Sequence, residues 1–283
     1  MPEFDYGKVL VIGDFAVYYN PEAGGAERVW KEVIKVLPEY RDTGISTYRH
    51  DLSCRDIVVI GGDGTLNRLL NELEKPEEHR YILLPGGTSN SLYSQLSPGL
   101  TAEAKWQQYL SGKAVFKQLD LPELTVNGKT WRFINEASAG FAGAIAREIE
   151  GRGTKRRFSR LGLNELAYIA TAFRCWRKDE PQMLSLCNNR RISGDLYPCP
   201  DAKIDDGLID VFALRCPRIR LLRELMRLVK AKKPTLSKYV QREQVRSGKW
   251  VFGKPLPVEI DGNPIGETRE LRMALYASPV EVF

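Results

Sequence analysis

Two glycine-rich turns hold the residue types that could handle a phosphate. The first follows Ile57-Val58-Val59-Ile60 and reads Gly61-Gly62-Asp63-Gly64-Thr65-Leu66-Asn67. The second follows Tyr81-Ile82-Leu83-Leu84 and reads Pro85-Gly86-Gly87-Thr88-Ser89-Asn90. Glycine lacks a Cβ, tolerates positive φ and lets a bulky anion reach the backbone. Backbone N–H groups at a helix start favour phosphate oxygens. Asp63 is the odd member, because a carboxylate beside a phosphate repels it. Its useful chemistry is to hold Mg²⁺ or to take a proton from an attacking hydroxyl. Asp-Gly is also an ordinary turn, and Thr88, Ser89 and Asn90 are also ordinary helix caps.

These turns need a scaffold. Short apolar runs that stop at glycine suggest buried strands of a parallel sheet. Leu66, Leu69, Leu70 and Leu73 recur at helical spacing, so the first unit reads as strand, turn, helix. In open α/β sheets ligands bind beyond the carboxyl ends of the strands, where both turns fall. Phe15–Tyr19 reads as the first strand, followed by a loop at Asn20–Gly25 and an amphipathic helix over Ala26–Leu37. Ile45–Tyr48 reads as a short second strand, Ala102–Leu110 as a helix and Phe116–Leu121 as a strand. Asn127-Gly128 between alternating apolar residues is a hairpin signal. From there the pattern turns mainly to strands, which sets a boundary near Pro122. Met183–Cys187, Leu208–Leu214, Leu271–Leu275 and Val280–Phe283 read as strands. Ala144–Glu150, Leu163–Trp176 and Arg218–Lys230 read as helices, the last with Ile219, Leu222, Leu225 and Val229 on its apolar face.

Length and composition narrow the class. The 283 residues suit one large domain or two modest ones, and 43% hydrophobic with 28% charged residues is ordinary for a globular protein. Five scattered cysteines without a CxxC pair, and two distant histidines, argue against a zinc site or a disulfide framework. The acidic N-terminus is unlike a signal peptide. No apolar run approaches the ~20 residues that span a bilayer. The expectation is a reduced, cytoplasmic protein. The net charge of +6 concentrates in two clusters, Arg152–Arg160 and Arg215–Lys233. Such clusters attract anionic surfaces, and each is also an ordinary solvated face. Interleaved aromatics and nucleic-acid motifs are missing, so no nucleic-acid partner is expected.

GGDGTLN followed by PGGTSN resembles the diacylglycerol kinase catalytic-domain family, which includes bacterial lipid kinases, sphingosine kinases and ceramide kinases. GGDGT alone is shared with NAD kinases and resembles a phosphofructokinase motif. Asn20-Pro21-Glu22-Ala23-Gly24-Gly25, Asp205-Asp206-Gly207-Leu208-Ile209-Asp210 and Asp261-Gly262 extend the match in the order the family has. The resemblance implies an α/β plus β fold. A Rossmann-like nucleotide-binding α/β domain would span 1–121 plus a C-terminal return at about 268–283. A β-sandwich-type lipid-substrate domain would span 122–267, with the cleft between them holding the reaction.

By the same resemblance, ATP would contact Asn20, Thr47, Gly61, Gly62, Asp63, Gly64, Thr65, Leu66, Asn67, Gly87, Thr88 and Asn90. Asp63, Asp120, Asp261 and position 263 would form the catalytic set. A structural Mg²⁺ would bind Asp206 and the carbonyls of Lys203 and Leu208. The expected partners are ATP and a lipid hydroxyl at a membrane surface, to which the protein would attach peripherally; a homodimer stays open. Three positions depart from the family pattern: Ser91 and Ala142 replace carboxylates, and Asn263 replaces the glutamate taken as general base. An amide cannot usefully accept a proton, so Asp261, Asp63 or Glu267 would have to substitute. The alternatives are an NAD kinase-like enzyme and a degenerate kinase that binds nucleotide or membrane without turnover.

Overall fold

The structure is a computed structural model. It describes residues 8–12, 15–20, 23–34, 46–47, 54–87, 90–151, 172–176, 178, 180–190, 197–230 and 237–283. The chain divides into two compact units, Met1–Leu121 with Ala277–Phe283, and Pro122–Tyr276. The Leu163–Trp176 helix lies outside the described residues except at 172–176, where a helical turn is present.

Unit 1 is a seven-stranded sheet in the order β3-β1-β2-β4-β5-β15-β6. Its centre is parallel: β2 (Phe15–Tyr19), β4 (Asp56–Gly61), β5 (Arg80–Pro85) and β15 (Val280–Val282) run together. The continuous apolar runs suit strands buried on both faces. Val17, Val58, Ile60, Ile82 and Leu84 point to one face, where α1 (Ala26–Ile34) and α4 (Ala102–Leu110) pack with Val29, Val33 and Trp106. On the other face α2 (Asp63–Glu72) packs on β4 and α3 (Ser91–Leu96) on β5. FAVYY is not the first strand. Lys8–Ile12 forms β1 ahead of it and pairs with it in antiparallel register. β3 is Ser46–Thr47 at the sheet edge, the described part of the expected Ile45–Tyr48 strand, whose other residues lie outside the described ones, and β6 is Lys117–Leu119.

The amino ends of β4 and β5 are fastened together by Arg80, whose guanidinium donates two 2.7 Å bonds to Asp56. Tyr109 donates to the same carboxylate at 2.9 Å, and the guanidinium lies 4.4 Å over the Phe116 ring. Such forked, partly buried pairs are the strong ones. Lys105 is the anomaly: it is fully buried on α4, donating to Ser97 at 2.9 Å between the rings of Tyr93 and Phe283. Burial pulls its pKa down to about 7.

Unit 2 is an eight-stranded antiparallel sheet, β12-β11-β10-β9-β13-β14-β7-β8. Its strands are β7 (Pro122–Val126), β8 (Lys129–Arg132), β9 (Glu136–Gly140), β10 (Met183–Cys187), β11 (Ile209–Leu214), β12 (Val240–Val245), β13 (Ser247–Ile260) and β14 (Asn263–Leu275). Asn127 and Gly128 both take positive φ, as a two-residue hairpin turn of this hand requires. One face gathers Leu124, Ala137, Leu186, Val211, Val258 and Met273 into a single apolar cluster. The other face carries α5 (Phe141–Gly151) and α6 (Arg218–Lys230), with Phe141, Phe212, Leu221 and Leu225 in a second cluster. The C-terminal return starts later than about 268. β14 stays paired with β13 as far as Ala274, and of the C-terminal part only Ala277–Phe283 belongs to unit 1.

Helix α6 also differs from expectation. Leu221 and Leu225 are buried, whereas Ile219 and Leu222 face water. The helix has two apolar stripes, and spacing alone does not say which one meets the core.

The Lys105 shift gives a testable sign. A lysine pKa lowered in the fold means that the unfolded chain binds more protons between about pH 7 and its ordinary 10.5, so its cost falls as pH rises through that window. Lys105→Met is expected to raise the melting temperature near pH 7, with the gain shrinking towards pH 10. Thermal unfolding across that range checks it.

Candidate functional site

At the carboxyl ends of β2, β4 and β5 the three glycine loops of unit 1 meet. Gly86 N–H donates to Gly61 O at 2.7 Å, Gly25 N–H to Gly86 O at 2.9 Å, and Asn20 N–H to Ile60 O at 3.2 Å. The glycines serve two distinct purposes. A Cβ on Gly87 would lie 2.4 Å from Gly62 Cα, and one on Gly86 would lie 2.8 Å from Ala26 Cα. These are backbone-on-backbone contacts, so hydrogen is the only side chain they admit. A Cβ on Gly64 or Gly24 would meet nothing within 4 Å. The open positions are where a ligand could approach; the closed ones hold the loops together.

The polar residues of this site are engaged. Asp63 accepts from the Ser91 N–H at 2.7 Å and the Leu92 N–H at 3.2 Å, so it caps α3 from another loop. A carboxylate at a helix N-terminus is favoured by charge as well as by hydrogen bonding. Asn90 takes a left-handed conformation (φ 43°) and clamps Gly87 with its amide: Nδ2 donates to Gly87 O and Oδ1 accepts from Gly87 N–H. Asn20 Nδ2 reaches Thr65 Oγ1 at 3.4 Å. Leu66 and Thr65 are buried, and Asn67 Oδ1 accepts from Asn71. Asn20, Gly61, Gly62, Asp63, Gly64, Thr65 and Gly87 therefore come together, whereas Leu66 is core. Thr47 sits on edge strand β3, and Thr88 lies outside the described residues. Asp120 follows β6 at the opposite side of the sheet order, half-buried.

In unit 2, Asp261 and Gly262 form the β13–β14 turn with φ 47° and 81°. The Asp261 carboxylate accepts the N–H groups of Ile134, Asn135 and Glu136 at 2.8–3.0 Å, which anchors the loop before β9. Asn263 is exposed at the start of β14, and Glu267 pairs with Arg147 at 2.5 Å. Asp206 Oδ1 accepts from Leu208 N–H at 3.1 Å, within the loop that also contains Lys203. Its donors are hard oxygens, which fits Mg²⁺ held by one carboxylate, backbone carbonyls and waters. Among the described residues no group of three or more His, Cys, Asp or Glu side chains gathers, so such a site would rest on Asp206. Burial raises the Asp210 pKa first, and the charges of Asp206 and Asp201 add to it.

One constellation escaped the sequence reading. Glu136 and Glu259 are 4% and 3% exposed, and Ser138 and Ser185 lie with them. The strand register places Glu259 beside Ser138 and Ser138 beside Ser185. Ser138 donates to Glu136 at 2.8 Å, and Gly262 N–H donates to Glu259 at 2.7 Å. Burial drives the Glu136 pKa up to about 8 and that of Glu259 well above the usual carboxylate range; the Asp261 charge adds to both, and the Glu136 charge adds to that of Glu259. The only signal available was Glu259 alternating inward between Val258 and Ile260, which a single sequence cannot separate from an exposed position.

Residues 14–120 match the family model of the diacylglycerol kinase catalytic domain. Over that span the chain is similar to the diacylglycerol kinase catalytic-domain family. Two curated relatives named "Probable lipid kinase YegS-like" extend the similarity. The one from Stenotrophomonas maltophilia is 28% identical over 89% of this chain and 81% of its own. The one from Pseudomonas aeruginosa PAO1 is 28% identical over 95% and 84%. A crystal structure of a diacylglycerol kinase from Bacillus anthracis superposes with a TM-score of 0.56 at 21% identity, covering 81% of this chain and 76% of that one. Another from the same organism reaches 0.61, also at 21% identity, over 81% and 78%. The α/β plus β fold is thereby shared.

Gly64→Ala fills open space within α2, so it is expected to leave stability unchanged or raise it by up to about 1 kcal/mol while weakening nucleotide binding. Gly87→Ala is expected to cost about 1–3 kcal/mol or more, because the backbone of Gly62 cannot move aside. Melting curves with and without nucleotide separate the two. For the buried acids, a raised folded pKa means that their stability contribution is present below the ordinary carboxylate range and is lost as pH rises towards about 8. Glu136→Gln is expected to melt above the parent at pH 8, with the difference closing towards pH 5.

Proposed function

We propose that the protein is an ATP- and Mg²⁺-dependent lipid kinase that phosphorylates a lipid hydroxyl, with a diacylglycerol-like acceptor the best fit. The observation that carries this reading is the convergence of the Gly24–Gly25, Gly61–Gly64 and Gly86–Gly87 loops at the carboxyl ends of three adjacent parallel strands. Backbone N–H groups and the start of α2 there suit phosphate oxygens. Unit 1 would bind ATP, and unit 2 would receive the lipid. Phosphoryl transfer needs chiefly positioning and charge neutralisation, which Mg²⁺ would assist when bound. Asp206 with the carbonyls of Lys203 and Leu208 is the proposed structural metal site. The acceptor would be met at a membrane surface, with the protein attached peripherally.

A second reading has a specific observation behind it. Asn263 occupies the base position, and the three carboxylates that could replace its function are each engaged: Asp63 by two N–H groups, Asp261 by three, and Glu267 by Arg147. That favours a nucleotide-binding protein with weak or absent turnover, since loss of a general base costs about 10² to 10⁴ in rate.

The test is transfer of label from γ-labelled ATP to a panel of lipids in mixed micelles with Mg²⁺. Parent protein is compared with Asp63→Asn, which keeps an acceptor for the α3 cap, and with Asn263→Glu. Labelled lipid from the parent, reduced in Asp63→Asn, is expected of a lipid kinase. Label only from Asn263→Glu supports the degenerate reading. No label from any variant overturns the lipid-kinase reading for that panel.

A further inference from the structure

Helix α6 of unit 2 is anchored and exposed in opposite directions. Leu221 and Leu225 enter the core, and between them Glu224, 3% exposed, accepts two bonds from Arg227 at 2.9 and 3.2 Å. The outward side carries Ile219 at 88% exposure, Leu222 at 44% and Met226 at 39%. They recur at i, i+3 and i+7, which aligns them on one face of a helix. Half of the exposed large hydrophobic residues among those described, three of six, sit on this one stripe. Arg218 and Arg223 lie on either side of it, and Arg215 and Arg220 follow close by. The segment from 215 to 227 holds five arginines and a single acid, and that acid is turned inward.

Aliphatic side chains spaced along a helix and edged by cations match the boundary between lipid headgroups and acyl chains. The aliphatics enter the chain region, while arginine stems reach back so that the guanidinium groups stay with phosphates. We propose that the outer face of α6 docks on an anionic bilayer surface. The proposal gives the peripheral-membrane part of the functional reading a defined surface and rests on that part alone. A nucleic-acid backbone would use the arginines but leave the three aliphatics in water. A second copy meeting through this face would bring like charges together across the two-fold axis.

The experiment is co-sedimentation of the full chain, without ATP, with phosphatidylcholine vesicles that contain or lack phosphatidylglycerol. Binding is expected only to the anionic vesicles, weakening as salt rises. Replacing the stripe (Ile219→Ser, Leu222→Ser, Met226→Ser) and reversing its edges (Arg218→Glu, Arg223→Glu) should each reduce binding by about tenfold or more, given roughly fivefold for each basic residue lost. All five positions face outward, so melting temperatures should not change. As an independent readout, Ile219→Trp should gain a fluorescence component that brominated acyl chains quench. Parent binding that both sets of substitutions leave intact overturns the α6 surface while the peripheral reading stands. Absence of parent binding to anionic vesicles overturns both, and equal binding to neutral vesicles overturns the role of the arginines. Binding to duplex DNA that survives loss of the aliphatic stripe, with none to vesicles, would assign the face to nucleic acid instead.

Discussion

Gly62 against Gly87 is the contact on which unit 1 depends. Three loops leave the ends of adjacent strands, and their backbones must pass within van der Waals distance of one another. Hydrogen bonds between Gly25, Gly61 and Gly86 then fix the loops relative to one another. Once the backbones are locked, Asp63 can reach across to cap α3 and Asn90 can clamp the Gly87 peptide. The helix starts and the open edges at Gly24 and Gly64 are consequences of that closure. Loops tied to one another in this way need less ordering when a ligand binds beside them.

Unit 2 solves a different problem. Its second sheet face carries two buried carboxyl groups, whose pKa values burial raises; Ser138 donates to Glu136 and the Gly262 N–H to Glu259. Asp261, a short distance along the same strand, stays in contact with three N–H groups and acts as a strut. The acids that look most chemical in the sequence are thus the most constrained in the fold. The least conspicuous ones, Glu136 and Glu259, have the most unusual protonation.

Much of the architecture was legible because each element carried its own period. IVVI and YILL, stopped by glycine, suggested buried strands, and Asn127-Gly128 was a strong hairpin signal. Met183–Cys187 and Arg218–Lys230 have the bounds that their patterns suggested. The readings that failed concern direction. Helical spacing in α6 fits either of two stripes, and only packing decides that Leu221 and Leu225 go inward. At the candidate site, residue types indicated phosphate-handling turns. They did not reveal that Gly86 and Gly87 are required by neighbouring backbone, or that the Asp63 carboxylate is occupied by α3. Those facts arise from loops far apart in sequence. Lys105 escaped for the same reason: a lone lysine in an amphipathic helix reads as solvated until its neighbours are known.

Strand β15 lies between β5 and β6, and Phe283 exchanges backbone hydrogen bonds with Tyr81 and Leu83. All of unit 2 is translated before this strand emerges. During synthesis β5 therefore lacks its β15 partner until the last residues emerge. The sheet of the first unit can be completed only after the residues of the second unit have been made. An incomplete sheet edge of this kind is a site where chaperones or another chain's strand could intervene.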